Sequence, residues 1–249
     1  MSGHSKWASI KHKKKATDAK RGALFTKLAR AIQVAAREGG GDPTGNPALA
    51  LAIQKAKDAS MPKDNIERAI AKGTGGGGDA DALEAVTYEG YGPGGVAILV
   101  EATTDNRNRT GSDVRHTFAK HNGNLGEPGS VAYLFDKKGV VVVAAEKYSE
   151  DDLMPAIEAG AEDIAEDEGV FEILTEPALL TAVRGALEQA GVEVQSSEVA
   201  WLPKARVPVA EDDAAKVLRL IDALEDNDDV DAVHANFDID ADVLERVAG

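Results

Sequence analysis

The sequence predicts an α+β protein: a helical head followed by two ferredoxin-like α/β sandwich modules, one inserted in the other. Three features of its 249 residues lead there. Charge is unevenly divided, with 15 Lys and Arg against 6 Asp and Glu in residues 1–75, a net of +9, and 13 against 37 in residues 76–249, a net of −24. The apolar period changes from helical to alternating across the glycine-rich stretch 74–79. Residues 139–202 then read βαββαβ, the order of a split-βαβ sandwich.

Taken in order, residues 1–22 are polar and basic, with little to bury, and read as an arm ordered locally or on binding. Residues 23–38 form an amphipathic helix. Leu24, Leu28, Ala31, Ile32 and Ala35 share one arc, and Lys20, Lys27, Arg30 and Arg37 lie opposite. Gly39, Gly40 and Gly41 end it. A second helix starts at Asn46-Pro47, and a third follows Pro62 and stops at Gly73. Together they close a small bundle. Beyond the linker, Val96–Ala102 is a strand and a helix starting at Asp105 or Thr110 runs to about His121. Val131–Phe135 and Gly139–Ala145 are strands, 149–159 a helix, and 161–166 with 169–174 a hairpin. A helix at 177–190, strands at 192–202 and 206–209, a helix at 211–225 and a strand at 230–237 complete the chain. Joined across 136–205, the flanking pieces repeat the same order. The expected domains are therefore 1–75, 80–135 plus 206–249, and an inserted acidic 136–205.

Composition excludes much. A chain of 26.1 kDa buries roughly 70% of its unfolded surface, so a sizeable core is possible. With 11 aromatic residues, that core is mostly Ala, Val, Leu and Ile. Cysteine is absent, which removes disulfides, thiolate metal sites and a Cys nucleophile and fits a reducing compartment. No apolar run reaches the roughly 18–20 residues of a spanning helix, and the N-terminus lacks a secretory apolar core.

The chemistry-bearing clusters are cationic. Lys11, His12, Lys13, Lys14 and Lys15, with Lys6, Lys20 and Arg21, form a run that attracts polyphosphate and releases counterions on binding it. Lys27 and Arg30 extend that surface. Trp7 either stacks on an exposed base or packs on the bundle. The run could also meet anionic lipid, but the apolar face it would need belongs to the bundle. Arg107 and Arg109, in the polar loop Thr104–Thr110, have two readings: a phosphate site at a helix N-terminus, or pairing with acids beside a cap at Asp105, Asn108 or Thr110. Gly90–Gly95 looks like a phosphate loop, yet a strand follows it and no Gly-Lys-Ser/Thr is present, so it reads as a tight connection. The five histidines show no metal spacing, no serine sits in a nucleophile elbow, and no cofactor motif appears. An enzyme is therefore not expected.

The opening Gly3-His4-Ser5-Lys6-Trp7 with Ile10–Lys14, then Asp18–Gly22, Leu24–Leu28, Ala35–Gly40, Met61–Ile70, Tyr88–Gly95 and Thr104–Thr110, resembles the YebC/PmpR family of bacterial regulators. The resemblance is specific through about residue 135 and looser beyond. It implies a cytoplasmic, non-enzymatic protein of three domains. Members are described as DNA-binding transcriptional regulators. Mitochondrial relatives are described as translational activators, and some bacterial ones as acting on the ribosome. The expected partner is thus nucleic acid, either DNA or ribosomal or transfer RNA, with a protein partner for the acidic body as a third reading. No membrane or small-molecule partner is expected.

Overall fold

The computed structural model describes residues 18–75, 83–167 and 169–248. Helices α1 (Asp18–Gly39), α2 (Pro47–Asp58) and α3 (Lys63–Gly73) form the head. Its core joins Leu28, Ile32, Ala35 and Ala36 of α1 to Leu49, Ala56, Met61, Ile66 and Ala69. Helix α1 begins before residue 23, so the last part of the expected arm is helical. Leu24, which its spacing puts in the apolar stripe, is 45% exposed. Buried Asn46 fixes the α1–α2 corner. Its carbonyl accepts the Leu49 N–H at 3.1 Å, and its amide donates to Ala35 O (2.8 Å) and Gly40 O (2.9 Å). At Gly73 a β-carbon would lie 2.4 Å from Gln33 O, so glycine there lets α3 close against α1.

The central sheet has the order β3–β1–β2–β9, all neighbours antiparallel: β1 (Glu84–Tyr91), β2 (Ala97–Thr104), β3 (Asn124–Leu125) and β9 (Val230–Ala235). Helices α4 (Arg107–Lys120) and α7 (Glu211–Glu225) belong to the core on one of its faces, with Ile98, Val100, Val114, Phe118, Val217, Leu220 and Ile221 all buried. Three acidic residues, Glu211, Asp212 and Asp213, occupy the first turn of α7, where the helix dipole favours them. Short β8 (Val207–Pro208) pairs in parallel with β10 (Phe237–Asp238), and α8 (Ala241–Ala248) follows.

Two expectations change here. Strand β1, hairpinned to β2 through Pro93–Gly95, takes the place of a loop, and the expected strand at Val131–Phe135 is largely a 3-10 turn, Ala132–Leu134. The cause is Glu89. Its buried carboxylate accepts the N–H groups of Gly129 (2.7 Å), Val131 (2.7 Å) and Ala132 (2.8 Å), which diverts two of that segment's own donors from a ladder. Burial raises the Glu89 pKa, but these three hydrogen bonds outweigh it and hold the carboxyl below the usual range.

The second sheet runs β5–β6–β4–β7, from β4 (Phe135–Ala144), β5 (Ala161–Asp167), β6 (Val170–Thr175) and β7 (Val194–Pro203). With α5 (Met154–Glu158) and α6 (Leu180–Gln189) this is the expected βαββαβ sandwich. Its first and last strands leave side by side, Phe135 opposite Pro203.

The three bodies touch pairwise. Phe135 and Trp201 pack against Ala97 and Leu99 on the second face of the central sheet, and the Trp201 indole donates to Glu101 Oε1 at 3.1 Å. Head residue Leu51 packs on the core of the second sandwich. Beside it Arg184 grips Asp58 through two nitrogens at 2.9 and 3.2 Å, and Lys55 meets Glu198 at 2.9 Å.

Candidate nucleic-acid interface

Lys6, Lys11, His12, Lys13, Lys14 and Lys15, and Trp7, lie outside the described residues, as does the side chain of Lys20 within α1. Arg21 is exposed on α1. The other expected cations are described, and the structure shows what each one meets.

The face of α1 opposite its apolar stripe does not look out to solvent along its whole length. Lys27 Nζ donates to Glu225 O at 2.6 Å, one of the carbonyls at the C-terminal end of α7, where a cation is favoured. Burial lowers the Lys27 pKa, against the opposing charges of Asp231, Glu225, Asp228 and Asp226. Arg30 donates to Asp228 O (3.0 Å) and Asp229 Oδ1 (2.7 Å), and Arg37 donates to Leu83 O. These bonds dock α1 on the turn between α7 and β9.

Asp229 is the hub of that seam. Besides Arg30 it accepts Arg109 at 2.8 Å and the hydroxyl of fully buried Thr110 at 2.7 Å. Burial raises its pKa, but hydrogen bonds from Arg109, Thr110 and Arg30 outweigh this and hold it low. Arg109 also reaches Asp105 at 2.6 Å, and its pKa is raised by hydrogen bonds to Asp229 and Asp105. Arg107 lies 3.6 Å from Glu84. The α4 cap is Asn106, whose side chain accepts the Arg109 N–H at 3.1 Å. None of Asp105, Asn108 and Thr110, the caps expected from the sequence, fills that role. Asp231 stands at the mouth of the seam. Part of its surface meets water, yet the atoms packed around its carboxylate push its pKa up to about 6, against the Thr103 hydroxyl at 2.6 Å and the charges of Lys27 and Lys55.

Beside the seam runs a groove of about 900 Å³ between α1 and α3, closed on one side by Leu83 and Asp105. Phe25, Thr26, Arg30, Gln33, Asn65, Arg68 and Lys72 line it. A smaller hollow of about 530 Å³, lined by Arg37, Gly40 and Thr74, shares Gln33, Lys72 and Leu83 with it, so the two form one track. Arg68 is oriented along α3 by bonds to Asp64 O (3.2 Å) and to the Asn65 carbonyl. Arg68 and Lys72 are both exposed. The track thus offers fixed guanidinium and ammonium groups, two side-chain amides and one half-buried aromatic ring. That set suits phosphates and base edges. Among the described residues no group of three or more His, Asp or Glu side chains is placed to hold a metal ion.

Sequence reasoning passed over Arg68, Lys72, Gln33 and Asn65. A signal was present: Arg68 and Lys72 are spaced i,i+4 on a helix whose Ile66, Ala69 and Ile70 face inward. Only the packing of α3 against α1 turns that stripe into a wall of a groove.

Comparison with known proteins follows this geometry. The N-terminal domain model of the TACO1/YebC proteins matches residues 5–76, and the model of their second and third domains matches residues 83–237. A probable transcriptional regulatory protein of Rubrobacter xylanophilus is 60% identical over the full length of both chains. A protein of the same description from Desulfotalea psychrophila is 56% identical, again over both full lengths. The crystal structure of a conserved hypothetical protein from Aquifex aeolicus, 52% identical, superposes with a TM-score of 0.82 over 91% of this chain and 94% of that one.

Proposed function

The chain belongs to the TACO1/YebC family, and on that premise we propose that it is a non-enzymatic, nucleic-acid-binding regulator of gene expression that grips its target through the head. The observation that carries this reading is the cationic track between α1 and α3 on a head of net charge +9, in a chain whose remainder is −24. Arg21, Arg68 and Lys72 would bind phosphate together with Lys6, Lys11, His12, Lys13, Lys14, Lys15 and Lys20. Lys27, Arg30 and Arg109 join them only where a phosphate replaces the carbonyl and carboxylates they now hold. Arg107, the more loosely paired arginine, extends the surface toward α4. The acidic modules repel polyanions elsewhere and so orient the head.

The descriptions of the relatives favour DNA and transcription, with the protein acting in the cytoplasm. No helix of the described residues is long and apolar enough to cross a membrane. One observation favours a second reading, a translation factor on ribosomal or transfer RNA. Helix α1 spends Lys27, Arg30 and Arg37 on the seam, so it is not available as a recognition helix laid in a major groove. Backbone- and shape-led binding, open to folded RNA, suits the track better.

The test is fluorescence anisotropy with a DNA duplex and an RNA hairpin of equal charge. Arg68→Glu with Lys72→Glu, both exposed, should weaken binding at least about tenfold, or about 1.4 kcal/mol, and leave the melting temperature unchanged. Lys13→Glu with Lys14→Glu should flatten the salt dependence by a slope of about 0.9 for each phosphate no longer neutralised. Unchanged affinity in both double variants would remove the head from the interface. In-cell crosslinking with sequencing of attached DNA and RNA then separates promoter regions from ribosomal and transfer RNA.

A further inference from the structure

Five large hydrophobic side chains are exposed among the described residues, and three of them, Met154, Ile157 and Leu179, gather on the helical side of the inserted sandwich. Met154 and Ile157 are one turn apart on α5, while their neighbours Leu153 and Ala156 are fully buried. The short helix therefore anchors itself from one side and presents the other. Gly160, at φ 103°, leaves space that Leu179 fills. A β-carbon there would stand 2.8 Å from Leu179 Cδ1, so the leucine lies across the exit of α5 beside Ile157. Beneath it, Leu180 and Val183 already complete the core. The three outer side chains thus add apolar surface that the fold of this chain does not use.

The rim of this patch is anionic. Glu150, Asp151 and Glu158 are exposed, and none of them forms an ion pair among the described residues, whereas Glu162 and Glu176 are held by Lys138. Residues 136–205 carry 16 acidic side chains against 5 basic ones, a net of −11. An apolar centre inside a ring of unneutralised carboxylates has the anatomy of an interface, and its charge selects the partner. Nucleic acid is repelled. A second copy meeting the same patch across a two-fold axis would set like charges against each other.

We propose that this face is a docking surface for a helix of a partner protein, one with an apolar stripe flanked by Lys or Arg. Met154, flexible and polarizable, adapts to the apolar stripe, and Glu150, Asp151 and Glu158 pair with the flanks. The proposal does not depend on the head binding nucleic acid.

The experiment uses the full chain and a fluorescent model helix of about 18 residues, five turns of leucine at i, i+3, i+4 and i+7 with lysine between. A scrambled peptide of identical composition is the control for charge alone. At roughly physiological ionic strength the patterned peptide should bind at least about tenfold more tightly than the scrambled one. Met154→Asp with Ile157→Asp should erase that difference, with the melting temperature of the protein unchanged. Glu150→Lys with Glu158→Lys should weaken both peptides. Equal binding of the two peptides would reduce the effect to bulk charge and overturn the proposal, as would a Met154→Asp, Ile157→Asp variant that still discriminates. Light scattering that shows a dimer lost in that variant would assign the face to a second copy instead, and would also overturn it.

Discussion

Replacing Asp229 with alanine should loosen the head from the central sheet at a cost that follows from the geometry. Three donors lose their acceptor. Thr110, fully buried, is left with Thr104 and the Asn106 carbonyl, and an orphaned or weakened buried hydroxyl costs about 1–2 kcal/mol. Arg30 keeps Asp228 O and Arg109 keeps Asp105, and their side chains are 26% and 47% exposed. Water therefore supplies much of what each loses, and their share is about 1 kcal/mol apiece at most. The total is about 2–4 kcal/mol, which for a chain of this size lowers the melting temperature by roughly 5–12 °C. Urea unfolding at pH 7 measures the cost, read from the midpoint at constant slope. The pH dependence gives an internal check. Asp229 has its pKa lowered in the folded protein, so its contribution is complete above the ordinary carboxylate pKa and is lost as pH falls through the lowered folded value. The gap between parent and variant should therefore narrow on acidification. A stability within about 0.5 kcal/mol of the parent at pH 7 would refute the assignment of Asp229 as the hub of the seam.

Other perturbations follow from the same bonds. Asp231→Asn keeps an oxygen for the Thr103 hydroxyl and removes a carboxyl whose folded pKa is raised to about 6; the parent should lose stability as pH rises from about 4 to 6 and the variant should not, so parallel melting curves across that window would contradict the reading. Asn46→Ala strips the α2 cap and leaves Ala35 O, Gly40 O and the Leu49 N–H without their partner, which should cost about 2 kcal/mol and speed amide exchange in α2 first.

The elements most legible in the sequence were those whose signals are local. Helix α7 runs over 211–225 as its acidic first turn and apolar stripe imply, and the βαββαβ order of the inserted module is as its β-branched runs and turn glycines imply. What failed was set by distant partners. Val131–Phe135 has the composition of a strand, but Glu89, 40 to 43 residues earlier in the chain, takes the donors of its approach. Strand β1 hides its pattern because Glu89 and Gly90, on alternate faces, are both buried, one for its hydrogen bonds and the other beneath Phe118. The same holds for the candidate interface. Charge pattern alone marks Lys27 and Arg30 as a phosphate surface, since nothing local reveals that Glu225, Asp228 and Asp229 approach them across 198 and 199 residues of chain. Arg68 and Lys72 acquire a role only when α3 becomes a wall.

The three bodies are joined in a closed circuit: head to central sheet through Lys27 and Arg30, central sheet to inserted module through Trp201 and Glu101, inserted module back to head through Arg184 and Asp58. A chain of bodies joined end to end bends at every joint, but a triangle of struts keeps its angles until one side gives way. The Arg184–Asp58 pair is, in this sense, the third side. Cutting it leaves a linkage that hinges on the single ribbon where Phe135 lies opposite Pro203, and the distance between the cationic track and the acidic docking face then ceases to be fixed. Spacing between two binding surfaces is thus a property that one ion pair controls without belonging to either.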